Sequence, residues 1–270
     1  MRVLAPGLML LLLGATSLVS AFPRPPEHRA STRSAAPTSS PVIVLGFLGG
    51  YVRHDNMLHT EVQLAARLRT EYPSRAYAEV FENHKANEAY AEVLQLLDTD
   101  HDGSLEEKEK GNARIILYGH SWGGAAVIAL ARQLEEDGVP VLLTIQVDSI
   151  ARHHADDAVV PANVSEAVNF YQPDSVLHGR PEIRAADPQH TKILGNFRLD
   201  YRTNPVSCSD DYPWLVRHFA KPHAEIECDP SVWNRVEGLI RAKITASSAD
   251  RPVAVATKSS THGALGPTDN

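Results

Sequence analysis

Aromatic residues make up only 6% of the 270-residue chain, and its formal charge at pH 7 is −7. A nucleic-acid surface normally needs a basic patch with aromatics interleaved, so nucleic acid is not an expected partner. Cysteine is scarcer still. The only two, Cys208 and Cys228, exclude a zinc ribbon or a disulfide-built mini-protein and leave the core to be held by burial. Histidine is plentiful, with 13 residues, yet none falls in an H-E-x-x-H motif or a close Cys/His quartet, so a catalytic zinc is not expected. Long apolar runs are missing beyond the N-terminus. Residues 1–21 carry Arg2, an apolar run through Leu4, Leu8 to Leu13 and Val19, and a small residue at Ala21, which reads as a cleaved secretory signal. An uncleaved anchor is the alternative, but Pro6, Gly7, Gly14, Ser17 and Ser20 thin out a run already near the lower spanning length. No membrane span is expected after cleavage.

Residues 22–41 are rich in Pro, Ser, Thr and Arg and 246–270 read the same way, so both are expected to be disordered, the first as a linker and the second as a tail. Between them lie residues 42–245, a span that suits one domain. Strand and helix patterns alternate through it. Val42-Ile43-Val44-Leu45 is a short continuous apolar run, as in a strand buried on both faces. A helix is expected from Thr60, with Thr60 and Gln63 as a capping box. Ala76–Phe81 is a second strand, and 88–97 a helix with Tyr90, Val93, Leu94 and Leu97 on one face. Ala113–Tyr118 and Pro140–Val147 are further strands flanking a helix from Trp122 to Glu136, and Ala167–Gln172 and Lys192–Leu199 add two more. Asp229 and Pro230 open a last helix. This order implies an α/β fold with a mostly parallel, doubly wound sheet and right-handed crossovers.

The third strand runs into Gly119-His120-Ser121-Trp122-Gly123 and then an Ala-rich helix. G-x-S-x-G is a weak string alone. In this context it has a physical reason, because a tight strand-to-helix turn that lifts a serine into an exposed, strained conformation tolerates only glycine at the flanking positions. Over the whole 42–245 core the sequence resembles the α/β-hydrolase superfamily, and its lipase and esterase-like members in particular. The resemblance implies a minimal α/β-hydrolase sheet that lacks the first two strands of the larger members. It also implies Ser121 as nucleophile, followed in chain order by an acid and a histidine. Asp148, at the end of the fourth strand, is the favoured acid and Asp174 the rival. His223, just before the last helix, is the favoured base and His218 the rival. His178, His190, His153 and His154 are the other eligible histidines downstream. The oxyanion donors implied are the backbone N–H groups of Trp122 and of Phe47, with Leu48 an open alternative because Leu45 stands where the family pattern has histidine. In an oxidising compartment Cys208 and Cys228 would close a loop around His218 and His223 worth about 3 kcal/mol.

Residues 98–109 read DTDHDGSLEEKE and satisfy D-x-D-x-D-G-x5-E. Asp98, Asp100, Asp102, Ser104 (through its carbonyl), Glu106 and Glu109 form the ligand set of an EF-hand-like calcium loop, with Gly103 at its sharp turn. The loop carries −5, six acids against Lys108, half of the −10 on the 42–245 core. It feeds the start of the strand whose far end bears Ser121, so the calcium is expected to be structural; no organic cofactor is expected. Asn163-Val164-Ser165 is a glycosylation sequon. The reading is a secreted serine hydrolase acting on a small-molecule or lipid ester. Its alternatives are a catalytically silent, calcium-stabilised binding protein of the same fold and a peptidase or acyltransferase using the same triad.

Overall fold

A computed structural model of the protein describes residues 40–151, 156–212 and 220–246. The expected signal, nearly all of the linker and the tail, together with His153, His154 and His218, lie outside the described residues.

Six strands form one sheet: β1 (Val42–Leu48), β2 (Ala76–Glu82), β3 (Ile115–His120), β4 (Val141–Val147), β6 (Val164–Tyr171) and β8 (Lys192–Arg198). Their order is β2-β1-β3-β4-β6-β8, and every neighbouring pair is parallel. β5 (Val159–Val160) and β7 (Arg184–Ala185) make a separate two-stranded ribbon that no sequence pattern announced. Parallel pairing demands crossovers, and those from β1 to β4 are supplied by α1 (Thr60–Glu71), α2 (Ala86–Leu97) with the short α3 (Glu107–Gly111), and α4 (Trp122–Glu136). Two further helices, α5 (Lys221–Cys228) and α6 (Pro230–Thr245), follow β8.

β1 explains why the apolar run is continuous. All seven of its residues are buried, and alternate ones face opposite helical layers. Val42, Val44 and Leu48 join Val62 and Leu68 of α1 and Trp233, Val236 and Ile240 of α6. Ile43, Leu45 and Phe47 join Val93 of α2 and Val127, Leu130 and Leu134 of α4. The sheet is therefore doubly wound, as the sequence pattern implied.

Local differences from the sequence reading have tertiary causes. β3 extends two residues beyond Tyr118 because Gly119 and His120 stay in register with Gln146 and Val147 of β4. β6 starts at Val164 rather than Ala167, since Val164 already pairs with Val141. The capping box at Thr60 and Gln63 does not form. His59 is the N-cap and offers no side-chain cap, while the Thr60 hydroxyl donates to the Glu227 carbonyl at 2.8 Å and Gln63 Nε2 to the Met57 carbonyl. His223 lies inside α5, a helix with proline in its first turn, and not in a loop before the last helix. α6 does start as its sequence implies, with Asp229 Oδ1 accepting from the Ser231 N–H at 2.8 Å.

Cys208 and Cys228 form a disulfide across a sequence separation of 20, fastening the end of α5 to the preceding loop. Replacing both cysteines by serine should lower the unfolding free energy by about 3 kcal/mol in urea titration, with a higher m-value because the unfolded chain is no longer cross-linked. A loss below about 0.5 kcal/mol would mean that this segment is already held by packing in the unfolded ensemble.

Candidate active site

Ser121 stands between the end of β3 and the start of α4 with φ 57° and ψ −125°, a backbone conformation that costs energy for a non-glycine residue. Close approach enforces it. A Cβ on Gly119 would lie 2.6 Å from the Gly123 carbonyl group, and a Cβ on Gly123 would lie 2.0 Å from the Phe47 carbonyl oxygen. The turn is tied down by hydrogen bonds from the Ser121 N–H to the Val147 carbonyl and from the Gly124 and Ile150 N–H groups to the Ser121 carbonyl.

Asp148 follows directly after β4, also at positive φ, and is fully buried. Its carboxylate accepts from the Gln172 N–H at 3.3 Å, Gln172 Nε2 at 2.7 Å and the Gly179 N–H at 2.7 Å. It also meets His223 Nδ1 at 2.7 Å, and His223 Nε2 lies 2.9 Å from Ser121 Oγ. Burial, followed by the neighbouring His120, lowers the pKa of His223 below its ordinary 6.5, against the opposing pull of Asp148. The imidazole is thus neutral at neutral pH, with Nδ1–H donated to Asp148 and Nε2 free to accept from the serine hydroxyl. Asp174 is engaged elsewhere: Oδ2 accepts from the Tyr201 N–H and Oδ1 lies 3.2 Å from Arg202 Nε. His178 and His190 contact the Gly179 carbonyl and Asp187, respectively.

Phe47 sits within β1, in register with Phe81 on one side and Gly119 on the other. The residue of that segment lying against the serine is Gly49, where an added Cβ would come within 2.9 Å of the Ser121 Cβ. Trp122 opens α4, and Tyr51 packs edge-on against its ring at 5.5 Å. Tyr51 and Val176 are almost wholly exposed, and Leu177 is partly so. The loop bearing Val176 and Leu177 is joined to Asp148, because Gln172 Nε2 donates to both Asp148 and the Leu177 carbonyl.

Behind His223 lies a group of residues that the sequence reading did not single out. The His120 ring stacks on that of His223, with centroids 4.6 Å apart, and its Nδ1 lies 3.2 Å from Glu227 Oε2. Glu227 Oε1 meets His59 Nδ1 at 2.5 Å, and Oε2 accepts from the Tyr212 hydroxyl. Glu61 completes the group. Burial pushes its carboxyl up to about 8, reinforced by the charge of Glu227. Burial alone would lower His120, but Glu227 outweighs it and pushes the imidazole up to about 9. His120 is the variable position of the G-x-S-x-G string, and His59 and Glu61 open α1. Only this placement in the sequence could have drawn attention to them.

The acidic loop holds two overlapping groups, Asp98, Asp100 and Glu109, and Asp100, Asp102 and Glu106. In each, one oxygen per residue lies within 4.8 Å of the others. Gly103 has φ +82°, and its N–H donates to Asp98 Oδ2. The Thr99 N–H and hydroxyl hold the buried Glu109 carboxyl below its usual range.

No protein-family model and no curated protein sequence matches the chain. Among solved structures, human thioesterase 2 is similar at 11% identity and a TM-score of 0.43, over 77% of this chain and 100% of that one. A cutinase-like protein from Cryptococcus sp. gives 11% and 0.41 over 79% and 100%, and an esterase from Pseudomonas putida gives 13% and 0.37 over 78% and 75%. Likenesses this distant assign no activity, which must be argued from the site.

The hold on Asp148 is directly testable. Gln172→Leu removes a buried side-chain donor from the carboxylate and should lower the unfolding free energy by about 2 kcal/mol in urea titration. A change below about 0.5 kcal/mol would mean that the Gly179 and backbone donors suffice.

Proposed function

We propose that the protein is a secreted serine hydrolase that cleaves carboxylic esters through an acyl-enzyme on Ser121. One observation carries the reading: a hydrogen-bonded chain from the Ser121 hydroxyl through His223 to Asp148, with spacings of 2.9 and 2.7 Å, built on a strained serine. In this reading Ser121 Oγ attacks the ester carbonyl as His223 Nε2 takes its proton. Asp148 holds the imidazolium. The developing oxyanion is received by the Trp122 N–H at the start of α4 and by an N–H of the segment around Gly49, a better placed donor region than Phe47 inside β1. His223 then protonates the departing alcohol. Water, deprotonated by the same imidazole, releases the acid and restores the serine.

The exposed Tyr51, Val176 and Leu177 around this centre favour a substrate with an apolar acyl or alcohol group. The disulfide supports an oxidising compartment and, with residues 1–21 as signal, secretion. No helix among the described residues is long and apolar enough to cross a membrane.

The acidic loop fits a structural calcium ion. Asp98, Asp100, Asp102, Glu106 and Glu109 supply hard oxygens, the Ser104 carbonyl another, and the Gly103 turn is the one such a loop requires. Bound there, calcium offsets clustered negative charge. It stands at the opposite end of the six-residue β3 from Ser121, about 20 Å away at ~3.3 Å per residue, too far to act on the ester. EDTA should lower the melting temperature and added calcium restore it, by mass action on the native state. An unchanged melting temperature in low-calcium buffer would sink the calcium assignment.

Fluorophosphonate labelling of the mature protein should disappear in Ser121→Ala, and an unlabelled wild type would instead indicate a silent member of the fold. Asp148→Asn should lower kcat by about 10⁴-fold while the protein still folds. Because the His223 pKa is lowered, the base stays neutral to below pH 6.5 and only then protonates. The acidic limb of kcat/KM should therefore have its midpoint below 6.5. A midpoint above about 7 would assign the base elsewhere.

A further inference from the structure

Glu61 and Glu227 are two buried carboxylates that face one another in the interior. Together with His59 they present one nitrogen and two oxygens, all within 4.8 Å of one another, and all three residues are buried. Glu61 is wholly inaccessible, and neither of its carboxyl oxygens has a hydrogen-bond partner among the described residues. Such a group is rare in a folded protein, because an unpaired buried carboxyl loses its hydration without compensation. None of the three side chains is a member of the hydrogen-bonded chain from Ser121 through His223 to Asp148.

We infer that His59, Glu61 and Glu227 form a buried binding site for a divalent transition-metal ion, with zinc the best fit. The donor set decides the class of ion. One imidazole nitrogen with two carboxylate oxygens is a ligand set that zinc takes at about 2.0–2.2 Å, whereas calcium seeks six to eight oxygens. The Tyr212 hydroxyl contacts Glu227 and lies 3.4 Å from His59 Nδ1, close enough to provide a further oxygen. The outer shell is also present. His120 Nδ1 stands 3.2 Å from Glu227 Oε2, the kind of contact that orients a ligating carboxylate. A dication would give the two facing carboxyl groups a common partner, the feature that hydrogen bonds leave unsatisfied at Glu61.

The ion would act as a clamp. His59 occupies the N-cap position of α1 and Glu61 lies in its first turn, while Glu227 is in the last turn of α5, which also carries His223. The separation between His59 and Glu227 is 168 residues, and the Thr60 hydroxyl already bonds the Glu227 carbonyl. Metal bound here would fix α5, and so His223, against α1 without touching the ester.

The test uses the whole mature protein, expressed with zinc sulfate, passed into chelator-treated buffer and assayed for metal by mass spectrometry. About one zinc per chain is expected in the wild type and in Asp100→Asn, which alters only the acidic loop, against less than about a tenth in the isosteric Glu61→Gln. Zinc absent from the wild type, or retained in a folded Glu61→Gln, would overturn the inference and leave a protonated carboxyl–histidine network. Should Glu61→Gln fail to fold, X-ray absorption at the zinc edge of the wild type decides. A shell of about four nitrogen and oxygen ligands that includes imidazole supports the site, and a six-oxygen shell refutes it.

Discussion

Three backbone segments meet at the end of β3 with no room for a side chain between them. Gly119 packs on Gly123, and Gly123 on the Phe47 carbonyl of β1. This close approach forces the residue between the glycines into positive φ, and that residue is Ser121. The Ser121 N–H is then spent on the Val147 carbonyl, which locks the serine to the last residue of β4 and places Asp148 one residue further on. The same contact brings the segment after β1 against the serine through Gly49. Ser121, Asp148 and the segment around Gly49 are thus positioned by the parallel ladder itself.

Charge is layered behind this turn. Asp148, His223, His120 and Glu227 are all buried, and along the series the two carboxylates sit at the ends with the two imidazoles stacked between them. Glu227 draws a proton to His120, and the resulting cation, together with burial, disfavours a second proton on His223. Asp148 opposes that effect at Nδ1, so the imidazole is oriented by one carboxylate and kept neutral with the help of the other. The arrangement makes His120 more than a spacer in the G-x-S-x-G string. Its ring faces the base while its own Nδ1 addresses Glu227.

Much of this was legible locally. Val42 to Leu45 announced a doubly buried strand, Ser121 its turn, Asp229 its cap, and Asp98 to Glu109 a loop that curls around its own oxygens, because each depends on neighbours a few residues away. Asp148 was favoured over Asp174, and His223 over His218, by the chain order that the resemblance to the α/β-hydrolase superfamily implies. The spacing of Cys208 and Cys228 around the histidine segment also suggested their pairing. Other expectations failed where a distant group competed. The Thr60 hydroxyl had an apparent local partner in the capping box, but the Glu227 carbonyl, brought in by α5, took it instead. Phe47, read as part of the loop after the first strand, instead lies in register with Phe81 and Gly119 inside β1.

The sequence by itself determined the layered α/β architecture, the strained serine turn and the acidic loop, since hydrophobic periodicity, glycine placement and ligand spacing act over short stretches of chain. The chain order ranked Asp148 and His223 first, and the tertiary structure brought both to the serine. It also decided that His59, Glu61, His120, Tyr212 and Glu227 gather behind them. Hydrogen bonding and charge depend on distances of a few ångströms in space. A residue pair separated by 168 positions acquires such a distance only when α5 folds back beside the start of α1.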